Sequence, residues 1–300
     1  MMYYADESRG KRFAKDPAVV AYRGKYWMFY SAPPFGDGRE DDGWNIAVAT
    51  STDLDNWTKL GDVKKPSELE RKGFCAPGAI VIDDKIHLFY QTYGGWRNDA
   101  ICHATTTDGI NLTPNPTNPI FRPHGDWNCG RAIDADVIPW NDRLVMAVAT
   151  RDPDMKIQKL AIADAPLDSD FARDKWTQLV DKSILEPVLP WEGECIEAPA
   201  FIKHNGKLFM FYAGAYNNWP QQIGCAVTTD YVNWTRVSDS PVLPNGKSGE
   251  WNSSESGHPF AFQAPDGSQH LFFQGNNDKG KSWFISRKSI RWNGDVPYFV

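Results

Sequence analysis

The sequence has few cysteines, and no two of them lie close together. A zinc knuckle and a redox CxxC site both need cysteines a few residues apart, so the spacing excludes both. We expect buried free thiols, which favour a reducing compartment weakly. The five cysteines are Cys75, Cys102, Cys129, Cys195 and Cys225.

The sequence also lacks a long apolar run, a basic stripe and the basic-then-apolar start of a signal peptide. Its 32 basic and 38 acidic residues give a net charge of -6. These absences argue against nucleic-acid and membrane partners and favour a neutral ligand. We expect a cytoplasmic protein, or a periplasmic or secreted one if the sequence is a processed form; nothing in it indicates an oligomeric state.

Aromatic residues, in contrast, are abundant, with 13 Trp, 11 Tyr and 16 Phe among 300 residues. Such side chains suit stacking on sugars, and they suit a β-sheet core equally well. The length fits two ordinary domains or one large all-β domain. The periodicity of the sequence has to decide between these two possibilities.

One segment recurs five times along the chain. Each copy is a polar or small residue, an apolar run, a turn and a second apolar run, which is rich in aromatic residues in four of the five copies. Turn pairs such as Arg23-Gly24 and Asn205-Gly206 are typical of tight β-hairpins, because these residues tolerate positive φ. The copies are "DPAVVAYRGKYWMFYSA", "APGAIVIDDKIHLFYQT", "DADVIPWNDRLVMAVAT", "EAPAFIKHNGKLFMFYAG" and "HPFAFQAPDGSQHLFFQG".

The copies begin at residues 16, 76, 134, 197 and 258, which are 58 to 63 residues apart. Most copies continue with a third and a fourth strand, as in "IAVATSTDLDNWTKL". Four strands per unit without a strong helical period is the pattern of a β-propeller. We predict an all-β protein whose residues 1–300 form a single five-bladed β-propeller, with four antiparallel strands per blade.

The first residues of these copies should meet at the propeller axis, because the first strand of each blade lines the central channel. They place Asp16, Asp134, Glu197 and His258 around one funnel. Burying like charges together is costly unless a function retains them. The alternative is that each acid only ends a strand by accepting backbone hydrogen bonds. Glycoside hydrolysis needs two opposed carboxyl groups, and a third anion would keep the acid protonated by raising its pKa.

The motifs "KDPAVV", "CAPGAIV", "AIDADVI", "EAPAF" and "GHPFAF" resemble the blade-head motifs of glycoside hydrolase family 43, the arabinofuranosidase, xylosidase and arabinanase group. "SRKSIRWNGDVP" at residues 286–297 resembles the closing pattern of that family. The resemblance implies that Asp16 is the general base, Glu197 the general acid and Asp134 the modulator of the acid's pKa. An inverting mechanism would place the Asp16 and Glu197 carboxyls about 6.5–9.5 Å apart.

The resemblance extends to His258, which matches a histidine that in many members lies over the axial cavity and helps to hold a calcium ion. It therefore implies a structural Ca²⁺ in the central cavity, with His258 as a metal ligand or a substrate contact; no cofactor is required. The alternative is a histidine that caps a strand. Cys75 and Ala135 depart from the family, which usually has an aromatic residue and often a proline there, so the substrate is expected to be atypical.

Loops between the strands carry further candidates for substrate binding, because recognition residues usually lie on loops of a rigid scaffold. We predict substrate contacts by Trp44, Trp96, Tyr216 and Arg131, with packing or ion pairing as the alternative. Two other acids, Asp152 in "RDP" and Glu194 in "EC", imitate motifs of fructan-hydrolysing relatives but lie out of register, so both are expected to be loop residues.

These observations predict a glycoside hydrolase that acts on oligosaccharides or polysaccharides of plants or microbes. An inverting exo-acting α-L-arabinofuranosidase or β-xylosidase type is the favoured version. Two alternatives stay open. One is a carbohydrate-binding propeller that has lost turnover, and the other is a related propeller glycosidase for a fructoside, galactoside or anhydro-sugar.

Overall fold

The computed structural model describes residues 2–39 and 42–300. Its strands form five four-stranded sheets, each made of four consecutive antiparallel strands. The first strand of each sheet contacts the first strand of the next, and the last sheet contacts the first. The predicted five-bladed β-propeller is confirmed. Within the described residues, no helix is long and apolar enough to cross a membrane.

The blades follow one another along the chain. Blade 1 contains β1 (Lys15–Tyr22), β2 (Lys25–Ala32), β3 (Asn45–Ser51) and β4 (Thr58–Asp62); blade 2 contains β5 (Phe74–Ile82), β6 (Lys85–Thr92), β7 (Ile101–Thr106) and β8 (Thr113–Pro114); blade 3 contains β9 (Ile133–Trp140), β10 (Arg143–Arg151), β11 (Gln158–Pro166) and β12 (Thr177–Gln178); blade 4 contains β13 (Ile196–His204), β14 (Lys207–Gly214), β15 (Gln222–Thr228) and β16 (Thr235–Arg236); blade 5 contains β17 (Glu255–Gln263), β18 (Gln269–Asn276), β19 (Phe284–Asn293) and β20 (Val296–Phe299). In the described connections, single-turn 3₁₀ helices lie at Glu68–Glu70, Trp96–Asn98, Arg173–Lys175 and Pro190–Glu192.

The hairpin turns predicted at the start of each blade are present. Arg23 and Gly24 have φ of 48° and 74°, and Asn205 and Gly206 have φ of 50° and 72°. Two successive positive φ angles in a two-residue loop match the right-handed twist of the flanking strands. These turns set the register of the inner strands, and so they fix which residues reach the axis.

The N-terminal segment closes the ring by pairing with the last blade. Tyr4 and Ile285 exchange two backbone hydrogen bonds of 2.9 Å each. The Tyr4 hydroxyl also lies 2.9 Å from the Tyr30 hydroxyl of blade 1. Blade 5 is thereby tied to the start of the chain, which holds the five inner strands around one axis.

Two histidines are packed against each other in blade 2, away from the axis. His87 Nδ1 lies 3.0 Å from His103 Nε2, and both rings contact Phe171. Burial, followed by the charge of His87, lowers the pKa of His103 to about 3. Burial also lowers the pKa of His87. The native fold therefore holds both rings neutral at pH values where the unfolded chain protonates them.

We expect the stability of the protein to fall as the pH drops below about 6.5, the usual pKa of an unfolded histidine. Depressed folded-state pKa values mean that the unfolded state binds more protons, so stability is lost towards acid pH. Each histidine that stays neutral in the folded state lowers the free energy of unfolding by about 2 kcal/mol between pH 6.5 and pH 5. Urea unfolding of wild type and His103→Leu at both pH values checks this; equal pH dependence in the two proteins would contradict it.

Candidate active site

A β-bulge at the start of each inner strand builds the centre of the propeller. One residue in each bulge has a positive φ although it is not glycine. These residues are Asp16 (52°), Ala76 (47°), Asp134 (53°), Ala198 (50°) and His258 (41°). Such a conformation costs energy and persists only where the surrounding structure imposes it. Its repetition in all five blades defines the equivalent positions.

Glu197 does not occupy the position predicted for it. The residue equivalent to Asp16 and Asp134 is Ala198, and Glu197 precedes it by one. The prediction of three acids at one repeated position was therefore wrong by one residue in blade 4. At a bulge two successive residues oppose one residue of the neighbouring strand, so the usual alternation of faces is interrupted. Glu197 reaches the axis from the position before the bulge.

The bulges and the neighbouring loops enclose a cavity of about 200 Å³ at the axis. It brings together Asp16, Asp134, Glu197 and His258, as predicted from the sequence, and Trp44 forms part of its wall. Cys75 and Ala76 supply the small face. Its remaining lining residues are Lys15, Gln91, Tyr93, Ile133 and Asn217.

Side chains of the preceding blade hold three of the bulges in place. The Asp16 backbone N–H donates to Gln274 Oε1 at 3.0 Å, and the Asp134 N–H donates to Gln91 Oε1 at 3.0 Å. In blade 2 the Ala76 N–H donates to Ser31 Oγ at 2.8 Å. These contacts satisfy buried N–H groups and link neighbouring blades at the cavity floor. The two catalytic candidates Asp16 and Asp134 are thus fixed at their own backbone.

The Asp16 carboxylate lies between two basic groups. Its Oδ1 is 3.1 Å from His258 Nδ1, and the Asp16 side chain is 10% exposed. Burial would raise the pKa of Asp16, but the charges of His258 and Lys15 and a hydrogen bond from Ser31 outweigh it and lower the pKa. Asp16 is therefore an ionised carboxylate near neutral pH, as a general base must be.

The surroundings of the Asp134 carboxyl raise its pKa, whereas those of Asp16 lower it. Burial is the largest cause that raises the pKa of Asp134; His258 acts against it, and the neighbouring Glu197 and Asp16 carboxylates raise it further. Arg131 offsets part of this effect. Two acids at equivalent positions of the repeat are thus pushed in opposite directions by their surroundings, which is the arrangement that separates acid and base roles.

The Glu197 carboxylate accepts hydrogen bonds from three amide side chains. Gln158 Nε2 donates to Oε2, while Gln221 Nε2 and Asn217 Nδ2 donate to Oε1 at 2.7 and 3.3 Å. Three donors, two from one loop of blade 4 and one from blade 3, leave the carboxylate little freedom to rotate. Glu197 is positioned more tightly than the sequence motif "EAPAF" alone would suggest.

Other contacts fix the orientation of each amide. Arg151 Nε donates to Gln158 Oε1 at 2.8 Å, and Lys15 Nζ donates to Asn217 Oδ1 at 2.7 Å. Gln221 Nε2 also donates to the Ala215 carbonyl at 2.9 Å. Each NH₂ group therefore faces Glu197 because its oxygen is held by a cation or its second hydrogen by a carbonyl.

Gly257 makes room for one of these amides. It occupies in blade 5 the position that Glu197 occupies in blade 4, and a Cβ there would overlap Gln221 Oε1 and lie 2.6 Å from Gln221 Cδ. A larger residue would push Gln221 away from Glu197. The glycine is therefore part of the support of the site.

We expect Gly257→Ala to lower kcat/KM about 10- to 100-fold, because a hydrogen bond to a charged group is worth about 1.5–3 kcal/mol. A double-mutant cycle with Gln221→Ala provides the control. Since Gln221→Ala removes the obstructing atoms, adding Gly257→Ala to it should cost less than about twofold more. If the losses of kcat/KM in the two single variants multiply in the double variant, Gly257 does not act through Gln221.

The other predicted binding residues, Trp96, Tyr216 and Arg131, do not belong to the cavity lining. Trp96 is 67% exposed. Its ring centroid is 5.7 Å from the guanidinium carbons of both Arg131 and Arg151. The Tyr216 ring lies 5.3 Å from the Arg151 guanidinium carbon. Trp96, Tyr216, Arg131 and Arg151 thus form one cluster, which we call the rim cluster.

Sequence reasoning missed most of the supporting residues. Gln91 and Gln274 carry a signal, because each follows the aromatic run of its blade in "LFYQT" and "LFFQG". Asn217 and Gln221 lie in the loop "AGAYNNWPQQ", which was singled out only for its aromatics. Gln158 has no local signal, since its partner Glu197 is 39 residues away in the sequence.

The two acids predicted to be loop residues lie apart from the cavity lining. Asp152 Oδ1 accepts the backbone N–H groups of Lys156 and Ile157 at 2.7 and 3.1 Å, which closes a turn after β10. Glu194 is exposed in the connection before β13. Neither position brings a carboxyl to the Asp16, Asp134 and Glu197 cluster.

The contacts of His258 give no support for a calcium ion. Ca²⁺ takes about 6–8 oxygen ligands, whereas His258 Nδ1 lies 3.1 Å from a single carboxylate oxygen, Asp16 Oδ1. In the part of the chain that the structure describes, no three His, Cys, Asp or Glu side chains form a group that could hold a metal. The calcium ion stays a prediction from the resemblance.

Comparison with protein families gives one match, over nearly the whole chain. A model of the family "Glycosyl hydrolases family 43" matches residues 10–295. Among curated proteins, no sequence matches.

Several solved structures share the fold. A thermostable family-43 glycoside hydrolase is 19% identical with a TM-score of 0.78, covering 99% of this chain and 95% of that one. An α-L-arabinofuranosidase from Lactobacillus brevis is 18% identical with a TM-score of 0.73, covering 96% and 94%. An endo-1,4-β-xylanase from Bacteroides thetaiotaomicron is 20% identical with a TM-score of 0.74, covering 96% and 94%. At such identities the likeness shows the fold alone.

Proposed function

Because the chain belongs to glycosyl hydrolases family 43 and is thus a glycoside hydrolase, we propose that it is an inverting, exo-acting enzyme of the α-L-arabinofuranosidase or β-xylosidase type. The observation that carries the proposal is the meeting of Asp16, Asp134 and Glu197 in one small cavity. Their environments differ, as a division of roles requires.

In the proposed reaction Asp16 acts as the general base. Its carboxylate is kept ionised by His258 and Lys15. It accepts a proton from a water molecule, whose oxygen then attacks the anomeric carbon. The bond from this carbon to the glycosidic oxygen breaks, and the electron pair stays on the departing oxygen.

Glu197 supplies the proton that the departing oxygen takes up. The three amides hold its carboxyl in one orientation. After one turnover Asp16 is protonated and Glu197 is ionised, so a proton returns through solvent before the next cycle. Asp134 touches neither event directly; with a raised pKa beside Glu197 and His258, it modulates the charge of the cavity.

The size of the cavity supports exo action. Its volume of about 200 Å³ lies below the about 300–1,000 Å³ of pockets for drug-sized ligands. A cavity of this size suits one terminal sugar. Long substrates would therefore enter by their ends.

A panel of substrates tests the proposal. We expect turnover of the 4-nitrophenyl α-L-arabinofuranoside or β-D-xylopyranoside, and release of monosaccharides from the matching oligosaccharides. Turnover of only a fructoside, a galactoside or an anhydro-sugar would replace the proposed substrate class. Binding of glycans without any turnover would favour a carbohydrate-binding propeller instead.

A further inference from the structure

The rim cluster brings two guanidinium groups together on one side-chain oxygen. Arg131 and Arg151 both donate to one acceptor, Gln158 Oε1, at 3.5 and 2.8 Å. Two guanidinium groups that converge on one neutral oxygen repel each other unless an anion lies nearby. Among the described residues, the one ion pair of these two arginines joins Arg131 to Asp99 at 3.7 Å, which is beyond hydrogen-bond distance.

The Arg131 guanidinium has few hydrogen-bond partners although the residue is only 6% exposed. Among the described residues its Nε has no hydrogen-bond partner, and its nearest carboxylate oxygen, on Asp99, is 3.7 Å away. Buried charges are normally paired and hydrogen-bonded, since leaving them unpaired costs several kcal/mol. Burial also raises the pKa of Asp99, which weakens this carboxyl as a counter-charge.

Arg151 has no carboxylate within ion-pair distance in the described part of the chain. Its Nε and Nη1 donate to Gln158 and to the Met155 carbonyl. Its guanidinium lies near the rings of both Trp96 and Tyr216. One donor edge of the group is therefore left for a ligand, with an exposed indole beside it.

The rim cluster is connected to Glu197 through Gln158. Gln158 contacts both the Glu197 carboxylate and the two arginines. If Glu197 protonates the departing oxygen, which is the proposed function on which this step rests, the sugar carrying that oxygen lies against Gln158 and the rim. We propose that the rim cluster is a subsite for a sugar that carries a carboxylate, a uronic acid, in the leaving group.

The chemistry of the subsite matches a uronic acid in two ways. Guanidinium groups bind carboxylates through paired N–H donors, and more strongly than they bind neutral hydroxyls. The exposed face of Trp96 can stack on the apolar face of a sugar ring. A neutral sugar would gain only the second interaction.

Binding of simple sugars tests the subsite without requiring turnover. Calorimetry with D-galacturonate and D-glucuronate, against D-galactose and D-glucose, should show at least about tenfold tighter binding of the acids. In Arg151→Gln this preference should shrink to less than about twofold. Arg131→Gln serves as a second variant, and Arg23→Gln, in the distant hairpin turn of blade 1, removes the same charge and should keep the preference.

Salt provides an independent readout, because added ions screen charge–charge attraction. Raising NaCl from 50 to 500 mM should reduce the preference for the acids. Equal binding of acids and neutral hexoses, or a preference unchanged in Arg151→Gln, would overturn the subsite. Failure of the proposed function would look different: no turnover of any glycoside in the panel, with the preference for uronates intact.

Discussion

Replacing Glu197 by Gln is expected to lower kcat about 10²–10⁴-fold on substrates with a poor leaving group, the usual contribution of a general acid. The substitution keeps the shape of the side chain and removes the proton donor. An aryl glycoside with a strongly activated leaving group, such as 2,4-dinitrophenyl, needs little protonation, so its kcat should fall far less. Steady-state kinetics on both substrates measure the difference.

Glu194→Gln is the matched control for this prediction. It makes the same chemical change three residues away, at an exposed position, and it should leave both rates within about twofold of wild type. An equal loss on both substrates in Glu197→Gln would contradict an acid role. It would indicate instead that the variant had disturbed the amides around residue 197.

Replacing Asp16 by Asn should lower kcat by about 10²–10⁴-fold whatever the leaving group, because the attacking water loses its base. The amide is isosteric with the carboxylate, and the Asp16 backbone N–H keeps its contact with Gln274. The variant also loses the charge that pairs with His258 and Lys15, so a lower free energy of unfolding is expected beside the lower rate. Kinetics and urea unfolding of the same preparation separate the two effects.

Asp152→Asn is the control for Asp16→Asn. Asp152 precedes a proline as Asp16 does, but it closes a turn after β10. Its replacement should leave kcat near the wild-type value. If Asp152→Asn abolished turnover while Asp16→Asn did not, the base would have been assigned to the wrong "DP" pair.

Much of the fold could be predicted because short residue patterns that specify turns and strands recur along the chain. Turn pairs such as Asn205-Gly206 recur in each blade, and second strands rich in aromatic residues recur in four of the five, so their spacing predicted five blades. The error at Glu197 has a physical reason. A bulge adds one residue to a strand without changing its composition, so Glu197 and Ala198 could not be distinguished by periodicity.

The environment of the site could be predicted only in part. Asp16, Asp134 and His258 stand at the repeated position, which the sequence displays directly. The contacts that position the acids join residues far apart in the sequence: Gln274 of blade 5 reaches Asp16 from 258 residues away, and Gln221 reaches Glu197 within blade 4 from 24 residues away. Neither separation follows from a local pattern. Loop residues Trp96 and Tyr216 were found by composition, but their grouping with Arg151 depends on loop conformation.

The stereochemistry of the first product tests the proposed mechanism most directly. Proton NMR of the anomeric region, recorded within the first minutes of hydrolysis before mutarotation, identifies the anomer released. Direct attack of water activated by Asp16 predicts inversion: a β-xyloside gives the α-sugar, and an α-arabinofuranoside gives the β-sugar. Release of the retained anomer would contradict the account, because it requires a carboxylate that forms a covalent intermediate in place of a base.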